Sequence, residues 1–140
     1  MAKFTALALQ EVAENENVQF TDDSMCGGMG VIHRNGAGQV TLRGSSTQCR
    51  ARYRVSFSGN IQIPAGGTVE AISIALAVNG EAIESNEAIV TPAAVENFWH
   101  VTLIDHIDVP CNCCVSVSVK NTSGQPIEVQ NASLIIERIA

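Results

Sequence analysis

The longest regular pattern in the chain is alternation. From Arg50 to Ile63, the side chains of Ala51, Tyr53, Val55, Phe57, Gly59, Ile61 and Ile63 fall on one side. Arg50, Arg52, Arg54, Ser56, Ser58, Asn60 and Gln62 fall on the other. A period of two over that length predicts a strand with one buried face. Pro64 and Gly66-Gly67 end it. Residues 68–78 predict a second strand, with Ile72, Ile74, Leu76 and Val78 on one face. Its other face carries only the small residues Ala71, Ser73, Ala75 and Ala77, which predicts close packing against another surface, such as a second subunit. Asn79-Gly80 then predicts a type I′ hairpin turn, because both central residues of that turn need positive φ. A return strand follows through Glu81 and Ile83, and a further short strand is expected at Glu87–Val90.

Residues 92–97 are expected to form a helical turn. Phe98 to Val109 predicts a long strand with Trp99, Val101, Leu103, Ile107 and Val109 in phase. Asp105 interrupts that apolar face, which predicts a bulge or bend. Cys113, Val115, Val117 and Val119 alternate with Cys114, Ser116, Ser118 and Lys120, so Cys113 is expected in the core. Asn121-Thr122-Ser123-Gly124 predicts a turn. The last strand runs from Pro126 to Arg138 and slips phase near Asn131-Ala132. Leu134-Ile135-Ile136 is apolar on both sides, which predicts a central strand covered on both faces. Towards the N-terminus, a strand is expected at Asn17–Thr21, a loop at Gly27-Gly28 and Gly30, and a hairpin joining 31–33 to 39–42. Eight to ten short strands with no long helix make the chain all-β, a sandwich or barrel.

At 140 residues the chain is one domain, long enough to bury a core without disulfides. Apolar residues make up 46% and aromatics only 4%, so the core rests on Val, Ile, Leu and Ala. A net charge of −6 argues against binding nucleic acid through a general basic field. No signal-peptide pattern and no membrane-length apolar run is evident, so folding in the cytosol is expected. Residues 1–17 show little core pattern and are expected to form an arm that anchors the domain or swaps onto a neighbour. Residues 18–140 are expected to form the domain itself.

The order of Asn17-Val18-Gln19-Phe20-Thr21, His33 with 36–42, Tyr53-Arg54-Val55-Ser56-Phe57-Ser58-Gly59, 75–81, 119–124 and the closing 132–139 resembles a known group. It is similar to the bacterial and phage branch of the tumour-necrosis-factor and complement-type jelly rolls. That branch includes C-terminal domains of spore-surface filaments and small phage structural proteins. The resemblance implies a two-sheet antiparallel jelly-roll sandwich that assembles as a homotrimer on a particle. No collagen-like stalk precedes the domain in this sequence, which turns the expectation towards a capsid decoration protein of a virion, assembled in the host cytoplasm. Its expected partners are itself and capsid or tail proteins, with no nucleic acid and no membrane. A receptor- or carbohydrate-binding module of a phage tail, or a bacterial surface or spore-coat protein, is the alternative. Such a module needs an exposed Trp or Tyr beside polar loop residues, and Trp99 and Tyr53 both lie in phase with apolar neighbours.

The residues offer little chemistry. Glu70, Glu81, Glu84 and Glu87 read as solvated surface, and no Ser sits in a nucleophile-elbow context. No catalytic residue and no cofactor are expected. Cys111, Cys113 and Cys114 are weak metal candidates with His33, His100 or His106, although Cys-x-Cys-Cys is not the usual knuckle. His100 and His106 share a face but stand roughly 20 Å apart on an extended strand. Cys26 and Cys49 sit near loops, and an odd count of cysteines argues against a complete disulfide framework. Asn121-Thr122-Ser123 and Asn131-Ala132-Ser133 match the glycosylation sequon but read as turn and strand-edge residues. Arg50, Arg52 and Arg54 form a cationic stripe, read either as solvated surface or as a contact face. With Ala71, Ala75, Ala77 and Ile135, they are the expected interface.

Overall fold

The computed structural model describes residues 2–25, 30–33, 36–44, 50–111 and 114–140, the side chains of 23–25 excepted. Cys26, Gly27, Gly28, Cys49 and Cys113, and with them the expected loop and the inward place of Cys113, lie outside the described residues. The described strands are β1 (Ala2–Ala6), β2 (Gln10–Val12), β3 (Asp22–Met25), β4 (Val31–His33), β5 (Gln39–Arg43), β6 (Arg50–Gln62), β7 (Ile72–Val78), β8 (Glu81–Val90), β9 (Trp99–Pro110), β10 (Cys114–Asn121) and β11 (Ile127–Arg138). One sheet runs β3-β1-β11-β6-β9, with β2 also on β11; the other runs β4-β5-β10-β7-β8. The described pairings are antiparallel.

Alternation fixes which face each sheet buries. On β6, Ala51, Tyr53, Val55, Phe57 and Ile61 point inward and meet Ile72, Ile74 and Leu76 of β7 and Val117 and Val119 of β10 in one core. On β11, Leu134 and Ile136 point inward, while Ile135 is half-buried on the opposite face. As expected, β11 is central, with β6 on one edge. Its other edge is shared in tandem: β1 pairs with 132–136 and β2 with 127–129. The expected phase slip is a register shift between Gln130 and Ser133, where Asn131 adopts φ 57°. The expected I′ turn is present, with φ of 51° at Asn79 and 86° at Gly80.

Five expectations are corrected. Residues 1–17 do carry core pattern: Ala2, Phe4, Ala6 and Val12 are buried, with Lys3 and Thr5 facing outward between the first three. The alternation was hidden because it is short and rests on Ala. Asp105 causes no bulge, since β6 and β9 stay in register from Arg50 opposite Pro110 to Ile61 opposite Trp99. As β9 is a sheet edge, a half-buried Asp105 is tolerated there, its Oδ1 accepting from the backbone N–H of His106. Residues 17–21 form no strand, although Val18 and Phe20 are fully buried; Asn17 makes an isolated bridge to Lys120. Residues 92–97 form an irregular turn with Glu96 at φ 58° rather than a helical one, and the two short strands expected after Gly80 are one continuous β8.

Candidate functional site on the outer face of the six-stranded sheet

The even-numbered residues of β6 face away from the core, and the register aligns them with outward residues of β11 and β9. Glu137, Arg54 and His106 stand in one row across three strands. One step along, Lys3, Ile135, Ser56 and Ile104 form a row across four strands. Thr5, Ser133, Ser58 and Thr102 form the next, and Gln130, Asn60 and His100 the one after. Within this face, Arg54, Ser56, Ile104, His106, Ile135 and Glu137 line a shallow depression of about 540 Å³.

The arginine stripe is where the sequence placed it, but its charge is met within the chain. Arg52 donates to Asp108 through Nε at 2.7 Å and Nη2 at 3.0 Å, and Arg50 Nη1 donates to the same carboxylate at 3.1 Å. These bonds, Arg52's first, hold the Asp108 carboxyl at about 2, and Asp108 in turn raises the Arg52 guanidinium above its ordinary value. Arg54 pairs with Glu137. The stripe is therefore a row of ordered, exposed ion pairs, which contribute little to stability but fix the side chains in place. Between them lies apolar surface: Ile104 is 54% exposed, beside half-buried Ile135.

The other expected interface residues divide. Ala75 and Ala77 are 0% exposed within the single chain. Ala75 sits between the longer Lys120 and Glu87, and Lys120 stretches its Nζ to the carbonyl of Gly80, while Ala77 sits between Ser118 and Ala82. Side chains already covered by their own subunit offer no area to a partner. Ala71 is exposed in the turn before β7, on the other sheet from Ile135.

The histidines do not converge. His33 packs against Phe4 at a ring separation of 4.5 Å and shares a hydrogen bond with the carbonyl of Ala37 at 3.0 Å. His100 Nδ1 meets Asn60 Oδ1 at 3.1 Å, and His106 stands in the Arg54 row. Cys111 is half-buried after β9 and Cys114 exposed at the start of β10, with Cys113 outside the described residues. Among the described residues, no group of three His, Cys, Asp or Glu side chains is placed to hold a metal ion.

Tyr53 and Trp99 part company. Tyr53 is buried, its hydroxyl donating to the carbonyl of Arg43 at 2.8 Å. Burial raises its pKa above the ordinary 10.0, against an opposing effect of the Arg138 charge. Trp99 keeps core phase but is 46% exposed, because it opens β9 at the end of the sandwich. Neighbouring Phe98 is 43% exposed. Alternation predicted direction correctly but could not show that the cover ends there.

No protein-family model and no curated protein matches the chain. Among solved structures it is similar to the globular domain of zebrafish complement 1qA protein, at 8% identity and a TM-score of 0.53, over 96% of this chain and 94% of that one. It is also similar to the EclA C-terminal domain, a sugar-binding protein, at 18% identity and a TM-score of 0.43, over 94% of this chain and 79% of that one. A weaker likeness covers 71% of this chain but 9% of a β-glucosidase from Paenibacillus barengoltzii, at 12% identity and a TM-score of 0.39. The two antiparallel sheets, their all-β content and the whole-length match to the complement domain make the fold a complement- and tumour-necrosis-factor-like jelly roll.

Proposed function

We propose that this chain is a non-enzymatic structural protein of a virion, a homotrimer that decorates or stabilises a capsid. The observation carrying the reading is the outer face of the six-stranded sheet. A sheet face left to water ordinarily shows polar side chains. Here Ile104 and Ile135 face outward in the same row, framed by the ordered pair Arg54–Glu137. Apolar centre and charged rim are the anatomy of a contact surface. The bacterial and phage resemblance of the sequence supports the particle, and the jelly-roll fold supports the trimer. On this reading Ile135 and the arginine stripe belong to the subunit contact, while Ala75 and Ala77 belong to the subunit's own packing.

Size-exclusion chromatography with light scattering tests the assembly. A trimer at micromolar concentration is expected, with Ile104→Glu and Ile135→Glu each driving it to monomer. A stable monomeric parent protein overturns the trimer. Mass spectrometry of particles purified from the source organism tests the location: the chain is expected at a fixed ratio to the major capsid protein, and its absence from particles overturns the virion role.

A further inference from the structure

Most of the described cations gather towards one end of the sandwich, with Asp108 and Glu137 paired among them. Lys3, Arg43, Arg50, Arg52, Arg54 and Arg138 stand towards the end where β1 begins and β11 finishes, as their pairings with Ile135, Cys114, Pro110, Asp108, Glu137 and Tyr53 show. The opposite end is acidic. Glu11 lies beside Glu128 on β2 and β11, and Glu96 approaches Ile63 through its backbone N–H. Lys120 turns its ammonium away from them onto Gly80. Among the described residues, no salt bridge neutralises Glu11, Glu96 or Glu128. Phe98 and Trp99, both close to half exposed, sit in the same stretch, because Trp99 pairs with Ile61 and Glu96 with Ile63.

Among the described residues, one polar atom at this end lacks a partner. Gln62 is 5% exposed, and its Nε2 donates to Glu128 Oε1 at 2.9 Å. That bond fixes the amide, since a flipped Gln62 would set its oxygen against the carboxylate. Among the described residues, the oxygen Oε1 is left buried with no donor. An unmet buried acceptor costs about 1–3 kcal/mol. Carboxylates, ring faces and a bare amide oxygen all call for a cationic hydrogen-bond donor. The arrangement does not suit a metal ion, since no three ligating side chains converge among the described residues.

We propose that this end, with Glu11, Glu128, Gln62, Phe98 and Trp99, is a docking surface for an arginine-bearing peptide segment of a partner protein. A guanidinium carries several donors in one plane, pairs with carboxylates and stacks on aromatic rings. Because Gln62 Oε1 is closed to solvent, its donor arrives only as the neighbouring side chains shift, and Trp99, opposite Ile61 and in core phase, stands at the same end of the sheet. The site is independent of the subunit contact proposed above, which concerns Ile104 and Ile135.

Trp99 is the single tryptophan of the chain, so its emission reports this end alone. The probe is a short peptide of alternating glycine and arginine, titrated at physiological salt, with the glycine–glutamate peptide as control. A saturable change in Trp99 emission with the arginine peptide alone is expected. The double variant Glu11→Gln/Glu128→Gln is expected to weaken it at least tenfold, about the loss of one charge-assisted pair. Glu81→Gln/Glu84→Gln removes the same charge from β8 and is expected to change affinity less than about twofold. Far-UV circular dichroism and light scattering on the same samples separate loss of binding from unfolding or loss of the trimer. Unchanged emission, an equal loss in both double variants, or a response to a neutral oligosaccharide instead overturns the proposal.

Discussion

Asn121 donates its side-chain amide to the carbonyl of Val12 at 3.0 Å, with both groups buried. The same Nδ2 reaches the carbonyl of Gln125 at 3.0 Å, while Oδ1 accepts from the N–H of Ser123 at 2.9 Å. The backbone N–H of Asn121 donates to Glu16. One side chain thus ties the end of β2 to the turn before β11. Its full burial also removes it as a glycosylation acceptor in the folded chain. Asn121→Ala leaves several buried groups unmet and is expected to cost about 2–4 kcal/mol. Urea unfolding measures it, and a loss below about 0.5 kcal/mol, the range of a neutral surface change, contradicts the role.

Phe4 is buried against His33 and Leu7 is 79% exposed, so the two neighbours should behave oppositely. Phe4→Ala is expected to cost about 3–5 kcal/mol. Leu7→Ser is expected to stay within about 0.5 kcal/mol. Thermal melts of both variants decide whether residues 1–17 contribute to the core.

The lowered pKa of Asp108, about 2, makes a signed prediction. A depressed carboxyl stabilises the fold above its unfolded value near 4 and loses that contribution as pH falls towards 2. A two-dimensional carboxyl titration should place the Asp108 midpoint near 2, and Arg52→Ala should return it towards the ordinary 3.8. An unmoved midpoint in the variant would show that Arg52 is not the cause.

Tyr53 supplies the alkaline counterpart. Its raised pKa means that the neutral phenol is favoured in the fold, so this stability is complete below about pH 10 and is lost as pH climbs through the folded value. Tyr53→Phe removes the bond to the Arg43 carbonyl and is expected to cost about 1–2 kcal/mol at neutral pH. The variant should also lose part of the parent's sensitivity to high pH in denaturant titrations.

Asn131 holds positive φ where β11 slips register, a conformation in which Gly and Asn are tolerated and branched side chains are not. Asn131→Gly is expected to be close to neutral, and Asn131→Val to cost about 1–2 kcal/mol. Equal melting temperatures for the two variants would contradict this account.

Where a segment had a long period-two pattern, sequence and structure agree to within a residue or two, except that the strand expected over 68–78 begins only at Ile72. Arg50–Ile63 was expected and Arg50–Gln62 is found; the start of Phe98–Val109 is off by one, as is its end. Buried direction was also legible for Val115, Val117 and Val119. Two kinds of information were not. Whether Arg50, Arg52 and Arg54 are open to a partner depends on Asp108 and Glu137, which lie far away in the chain and meet them only through register. Whether Ala75, Ala77 or Trp99 is covered depends on where neighbouring side chains reach and where a sheet stops. Alternation specifies a direction; exposure follows from what stands in that direction.

The tandem seating of β1 and β2 on β11 has a consequence for biosynthesis. The strand that β1, β2 and β6 all need for their sheet follows every one of them along the chain. During translation the edges of these strands that face β11 stay unmet, and the sheet closes only once residues 127–138 leave the ribosome. Nascent chains stalled before that point are therefore expected to be protease-sensitive and prone to aggregate. The six-stranded sheet is therefore expected to close late, after the strands of the five-stranded sheet have all been made.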